Sequence, residues 1–107
     1  MIDRTKAVDI PRAVKDAVWE RDNRCCVLCG NPQAMPNAHY ISRAQGGLGI
    51  EQNVVTLCAK CHRDYDQSPA RQYIREELRA YLSKQYPEWD EKQLIYRKYG
   101  GNYGNRN

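Results

Sequence analysis

Apolar positions along the chain switch between two periodicities. After a short polar arm, Ala13, Val14, Ala17, Val18 and Trp19 recur at helical spacing behind Ile10-Pro11, with the proline at a first-turn position and Arg21-Asp22-Asn23 as the exit. Residues 31–37, which include Pro32 and Pro36, read as a loop. A short strand is expected at Ala38-His39-Tyr40-Ile41 and a turn at Gly46-Gly47-Leu48-Gly49. Asn53-Val54-Val55-Thr56-Leu57 is rich in β-branched residues and is expected to pair antiparallel with that strand. From Cys61 the period turns helical again. Pro69 interrupts it, and residues 70–85 predict an amphipathic helix with Tyr73, Ile74, Leu78, Tyr81 and Leu82 on one stripe. Pro87-Glu88-Trp89-Asp90-Glu91 reads as a further helix start that carries Leu94 and Ile95 inward, with Tyr99 a further candidate. Residues 100–107 hold too little apolar surface to fold and are expected to be mobile.

Composition sets bounds on this outline. With 107 residues, 41% hydrophobic and 28% charged, the chain suits one small domain and is too polar for a membrane span. We expect a core over about residues 10–66 and a helical extension over 70–99, in a cytoplasmic protein, since the opening residues lack a signal peptide's apolar stretch. The formal charge is +4, but residues 1–91 hold 13 basic and 13 acidic side chains, so the excess lies in Lys92, Arg97, Lys98 and Arg106. Such an imbalance permits a nucleic-acid partner without establishing one.

The cysteines change the picture more. Small domains bury too little surface to be stable easily and often need a staple. Cys26-Val-Leu-Cys29 and Cys58-Ala-Lys-Cys61 each have the two-residue spacing that lets both thiolates of a tight turn reach one ion. In a cytosolic chain, where disulfides are rare, two such knuckles fit a four-cysteine structural Zn²⁺ site. Cys25 is the odd one out; Cys26 has the better spacing and Gly30 behind Cys29 suits the turn. The bland alternative is a set of reduced, buried cysteines or a disulfide pair.

Between the knuckles lie two strands and the start of a helix, an α+β arrangement, and this segment contains both histidines of the chain. His39 is on the first strand, Asn53 opens the second, and His62 follows the last cysteine, with Asp66 four residues on and so on the same helical face. An imidazole and a carboxylate at that spacing suit one divalent ion.

The run Cys26-x2-Cys29, Ala38-His39-Tyr40-Ile41, Gly46-Gly47, Gln52-Asn53-Val54-Val55-Thr56-Leu57-Cys58-x2-Cys61-His62 resembles the zinc-bracketed branch of the HNH endonucleases, also called ββα-metal or His-Me-finger nucleases. The resemblance covers about residues 10–66. It implies a small ββα-metal finger stapled by the four cysteines, with an N-terminal helix and C-terminal helices around it, and metal-dependent cleavage of DNA. His39 matches the family's first-strand metal ligand, His62 its helix ligand, Asp66 a further ligand position, and Asn53 the asparagine that fixes the loop carrying the base. The implied catalytic ion is Mg²⁺, Mn²⁺ or another transition metal. Nucleases this small resemble those encoded by phages near packaging genes, which by analogy suggests a packaging terminase as a protein partner.

Residue 40 departs from the pattern. Many relatives place a general-base histidine there, and a free tyrosine, with a pKa of about 10, is only about 0.3% phenolate at about pH 7.5, a deficit of roughly 3.4 kcal/mol. Three readings stand at this point. Tyr40 is the base or orients the water, helped by a neighbour such as Arg43. Alternatively His39 is the base, with the ion on His62 and Asp66, or Tyr40 is a packing residue in a weak nuclease. Arg43, Lys60 and Arg63 are candidate phosphate contacts near the site, and Lys92, Arg97 and Lys98, interleaved with tyrosines, candidate contacts in the C-terminal segment. The stripe Arg71, Arg75, Arg79 is expected to be a helix surface paired with Glu76 and Glu77. No recognition helix is apparent, so cleavage is expected to be weakly sequence-selective. A noncatalytic zinc module that binds nucleic acid or protein is the reading from another class; it needs the cysteines but not His39, His62 and Asp66.

Overall fold

The computed structural model describes residues 3–97. Lys98, Tyr99 and the segment 100–107 lie outside them, so the expectations placed there are not addressed. The described residues open on a helix where a polar arm was expected: α1 (Arg4–Val8) starts at Asp3, whose carboxylate accepts from Lys6 N–H at 3.0 Å. Its one buried side chain is Val8. Next, α2 (Arg12–Arg21) enters through Pro11 and ends where Asn23 and Arg24 take φ of 60° and 57°, a left-handed turn into the first cysteine pair.

Two antiparallel strands follow, β1 (Ala34–His39) and β2 (Val54–Cys58). Between Met35 and Ala38 the register shifts, from Met35 opposite Leu57 to Ala38 opposite Val55, so β1 carries one residue more than β2. That bulge accommodates Pro36, which cannot donate to a regular ladder. It also explains why β1 begins four residues before the expected Ala38. β1 ends at His39 because the next amides leave the ladder for Asn53: Tyr40 N–H donates to its carbonyl at 2.7 Å and Ile41 N–H to its side-chain Oδ1 at 2.8 Å. All five residues of β2 are buried, as its nearly continuous apolar run requires.

From β2 the chain passes directly into α3 (Ala59–Gln67), capped by the Cys58 sulfur, and after Ser68-Pro69 into α4 (Arg71–Gln85). Ile74, Leu78 and Leu82 bury the inner stripe of α4, but Tyr73 of the expected stripe is 69% exposed. The further helix expected from Pro87 is a single 3-10 turn, Glu91–Leu94. Leu94 is buried as expected, and its carbonyl accepts from Leu48 N–H at 2.8 Å while Tyr96 N–H donates to Gly46 O at 2.8 Å. The C-terminal segment thus runs strand-like along the glycine turn, with Ile95 opposite Gly47. Ile41, Val55, Leu57, Tyr65, Leu78, Leu82 and Leu94 share one core with Tyr40. No helix among the described residues is long and apolar enough to cross a membrane.

One polar hub went unread in the sequence. Asp22 is 3% exposed and takes hydrogen bonds from Arg21, from Thr56 N–H at 2.8 Å and from Tyr81 Oη–H. Arg21 in turn donates to the carbonyls of Glu51 and Val54, each at 2.7 Å, and lies against Tyr81 and Tyr86. The exit of α2 is therefore fastened to β2 and α4 together. The Arg75 and Arg79 guanidiniums pair chiefly with Glu91, at 3.1 and 3.0 Å, rather than with the expected neighbours on α4; the Arg79–Glu76 contact is 4.0 Å.

Candidate active site

The first cysteine pair sits on a turn that closes on itself. Gly30 N–H donates to Cys26 O at 2.8 Å, and Gly30 takes φ of +81°, a conformation that glycine adopts without strain. Cys26 N–H donates to Asn31 O at 2.9 Å and Val27 N–H to Thr56 O at 3.0 Å, which fixes this turn beside β2. The second pair opens α3. The Sγ atoms of Cys26, Cys29, Cys58 and Cys61 all lie within 4.8 Å of one another, with Cys29 and Cys58 at 3.6 Å. Four thiolates about 2.3 Å from a tetrahedral ion stand about 3.8 Å apart, so the quartet fits a metal such as zinc. Burial alone would raise the Cys26 thiol pKa, but backbone hydrogen bonds at Cys58, Cys29 and Leu28 outweigh it and bring it down to about 7, toward the thiolate a metal needs. The Cys25 sulfur instead faces Asp22 O at 3.6 Å and takes no part.

Beside this cluster is an open cleft of about 320 Å³ lined by Asn37, His39, Ser42, Arg43, Ala44, His62 and Asp66. The end of β1 supplies His39. α3 supplies His62 and, one turn later, Asp66, whose Oδ2 is 3.6 Å from His62 Nε2. His39, His62 and Asp66 do not converge as the sulfurs do: among the described residues, the cysteine quartet alone gathers three or more such ligand atoms within 4.8 Å. His39 is held elsewhere, with Nε2 at 2.8 Å from Val8 O. Burial lowers its pKa below the ordinary histidine value, only partly opposed by that hydrogen bond, and the nearby Arg43 lowers it further.

Tyr40 faces the other way. As the chain leaves β1 after His39, the next side chain enters the core. Tyr40 is 0% exposed, its ring edge-on to Trp89 with centroids 5.5 Å apart and the Arg75 guanidinium 4.7 Å above it. Among the described residues its hydroxyl has no hydrogen-bond partner, and burial drives the phenol pKa upward despite Arg75. The ring thus packs in the core, and Tyr40 is not among the residues that line the cleft.

Asn53 is fully buried and ties the loop after β1 to the start of β2. Its Nδ2 donates to Ile41 O at 3.1 Å and Leu48 O at 2.9 Å, while Oδ1 accepts from Ile41 N–H. Gly47 is required beside it, because a Cβ there would stand 1.7 Å from Ile41 O. Through these bonds the glycine turn and the residues that follow His39 are one rigid piece.

Of the expected cations among the described residues, Arg43 alone lines this cleft, and it pairs with Asp9 at 2.8 Å. Lys60 is exposed on α3 and pairs with Asp64 at 2.9 Å, and Arg63 is exposed on the same helix. Lys92 is exposed on the C-terminal segment, where the Arg97 guanidinium donates to its carbonyl at 3.0 Å. A second cleft of about 400 Å³ shares Asn37, His39 and Arg43 with the first and is lined as well by Asp9, Ile10 and Lys15. Lys15 and Asn37 were not singled out from the sequence, where nothing marks them from other surface residues.

Residues 26–68 match the family model described as HNH endonuclease, and a search of the curated proteins finds no match. The matched stretch runs from the first knuckle through β1, the glycine turn and β2 to the end of α3. It contains all four clustered sulfurs together with His39, Asn53, His62 and Asp66. The stretch from Cys26 to Ser68 is therefore similar to the HNH endonuclease family.

Proposed function

We propose that the chain is a metal-dependent DNA endonuclease that hydrolyses phosphodiester bonds in the cleft between β1 and α3. The observation that carries this reading is the shared lining of one open cleft by His39, His62 and Asp66 inside the matched stretch. His62 and Asp66, 3.6 Å apart on one helical face, are the residues that would hold a divalent ion, Mg²⁺, Mn²⁺ or another transition metal. When bound, such an ion supplies positive charge against the charge that builds on the phosphate and on the departing 3′ oxygen. Zn²⁺ in the cysteine quartet is structural in this account.

His39 is the proton acceptor. It lines the cleft, and its lowered pKa keeps the ring neutral at physiological pH. As water attacks phosphorus and the bond to the 3′ oxygen breaks, the proton passes to His39, and the leaving oxygen takes a proton from solvent. Asn53 is a positioning residue that holds the loop after His39. Arg43, Lys60 and Arg63 engage phosphates near the scissile bond, and Lys92 and Arg97 extend the basic rim. These contacts address the backbone, so cleavage is weakly selective, with any site choice supplied by a partner such as a packaging terminase.

Supercoiled plasmid with Mg²⁺ or Mn²⁺ tests this. Conversion to nicked or linear DNA, lost in His62→Ala while zinc content is kept, is the expected result. Absence of cleavage with either ion, alongside retained DNA binding, would favour the noncatalytic zinc module.

A further inference from the structure

The segment before Pro11 lies outside the matched family stretch, yet it is fastened to the active cleft by more bonds than its length explains. A helix of five residues has little stability of its own. α1 is held by Arg4, whose guanidinium donates to Arg43 O at 3.0 Å and Ala44 O at 2.8 Å, and by Gly49 N–H donating to Ala7 O at 3.0 Å. Asp9 closes the clasp through its ion pair with Arg43 at 2.8 Å. Gly49 permits this approach, since a Cβ there would stand 1.9 Å from Asp9 O. At the centre, Val8 presents its carbonyl to His39 Nε2 at 2.8 Å.

We propose that this N-terminal clasp, residues 3–9, is a working part of the active site, in which the Val8 carbonyl selects the tautomer and orientation of His39. The chemistry follows from the acceptor. A carbonyl oxygen has no proton to give, so the bond requires hydrogen on Nε2. In a neutral imidazole that leaves Nδ1 with the free lone pair, the atom able to take a proton. Without the clasp the ring is free to rotate and to populate the other tautomer, which presents an N–H where an acceptor is needed. The inference rests on the assignment of His39 as base, but its structural half does not depend on cleavage.

The test uses ¹⁵N-histidine-labelled full-length protein, zinc-loaded, compared with Gly49→Ala, whose methyl group must push the clasp away. A second variant lacks residues 1–9, in case the first perturbs the turn, and zinc content and circular dichroism establish which variants are folded. Two-bond ¹H–¹⁵N spectra are expected to show His39 in the Nε2–H tautomer in the parent and a mixture in a folded variant. Alongside, kcat is expected to fall roughly 10- to 100-fold with KM unchanged, the size of effect that misplacing a reacting group produces. A parent His39 carrying its proton on Nδ1, or a folded variant with unaltered tautomer and kcat, would overturn the proposal. If the parent does not cleave DNA at all, the nuclease reading fails, while the tautomer spectra still decide whether the clasp sets the ring.

Discussion

The cysteine quartet and the histidine cleft share α3, where Cys61 and His62 are adjacent in the chain, yet the two regions are organised oppositely. In the quartet all ligand atoms already lie within 4.8 Å of one another, on turns whose own amides hold them. In the cleft, His62 and Asp66 face each other at 3.6 Å, but His39 is held by a carbonyl and one side is open. A metal site that only stabilises closes on its ion, whereas one that works on a substrate leaves a position free. On the proposed function, the pair separates the group that keeps a small domain folded from the group that reacts.

Breaking each side of this comparison should have different consequences. The largest effect is expected from Cys58→Ala. Binding of structural zinc is worth about 10–16 kcal/mol in small zinc domains, as much as the whole stability of an ordinary domain, so the variant should lose zinc and its cooperative melting transition together. Asn53→Ala comes next, since it leaves the amide and carbonyl of Ile41 and the carbonyl of Leu48 without their partner in the core. A loss of about 3 kcal/mol, or on the order of 15 °C in Tm, is expected in calorimetry, with zinc retained.

The cleft side is sharpened by pH. Because burial places the folded-state pKa of His39 below the unfolded value of about 6.5, the unfolded chain binds this proton first as pH falls. Stability contributed by the neutral ring is present above about pH 6.5 and lost as pH falls toward the lowered pKa. The acidic limb of kcat/KM should lie below about 6.5 for the same reason, and a limb above it would count against His39 as the base. The smallest effect is expected at the rim. Neutralising Lys92 and Arg97 together should weaken DNA binding uniformly across sequences and reduce the salt slope by up to about 2, measured by fluorescence anisotropy.

The quartet was legible because two C-x-x-C turns restrict geometry strongly, and spacing together with Gly30 behind Cys29 favours Cys26 over Cys25. The antiparallel pairing was legible from β-branched content. Pro36 misled the placement of β1, because proline ordinarily ends a strand and a bulge cannot be read from one residue. Glu91 as the partner of Arg75 and Arg79, and Asp22 as the hub beneath α4, depend on contacts between distant parts of the chain that helical spacing does not encode. The direction of Tyr40 had a usable signal. Strand alternation requires residues 39 and 40 to face opposite sides, so two cleft-facing groups in succession were unlike a regular strand. The clasp over His39 had no such signal, since a polar five-residue helix is held by tertiary bonds rather than by its own pattern.

The central claim is that chemistry lies on the His39 face of β1 and packing on the Tyr40 face. Plasmid cleavage by zinc-replete His39→Ala and Tyr40→Phe, measured beside the parent chain, tests it most directly. The expected result is a loss of about 10²- to 10⁴-fold for His39→Ala and a change within about twofold for Tyr40→Phe, whose missing hydroxyl made no hydrogen bond among the described residues. Full activity in His39→Ala, with loss in a folded Tyr40→Phe, would contradict it.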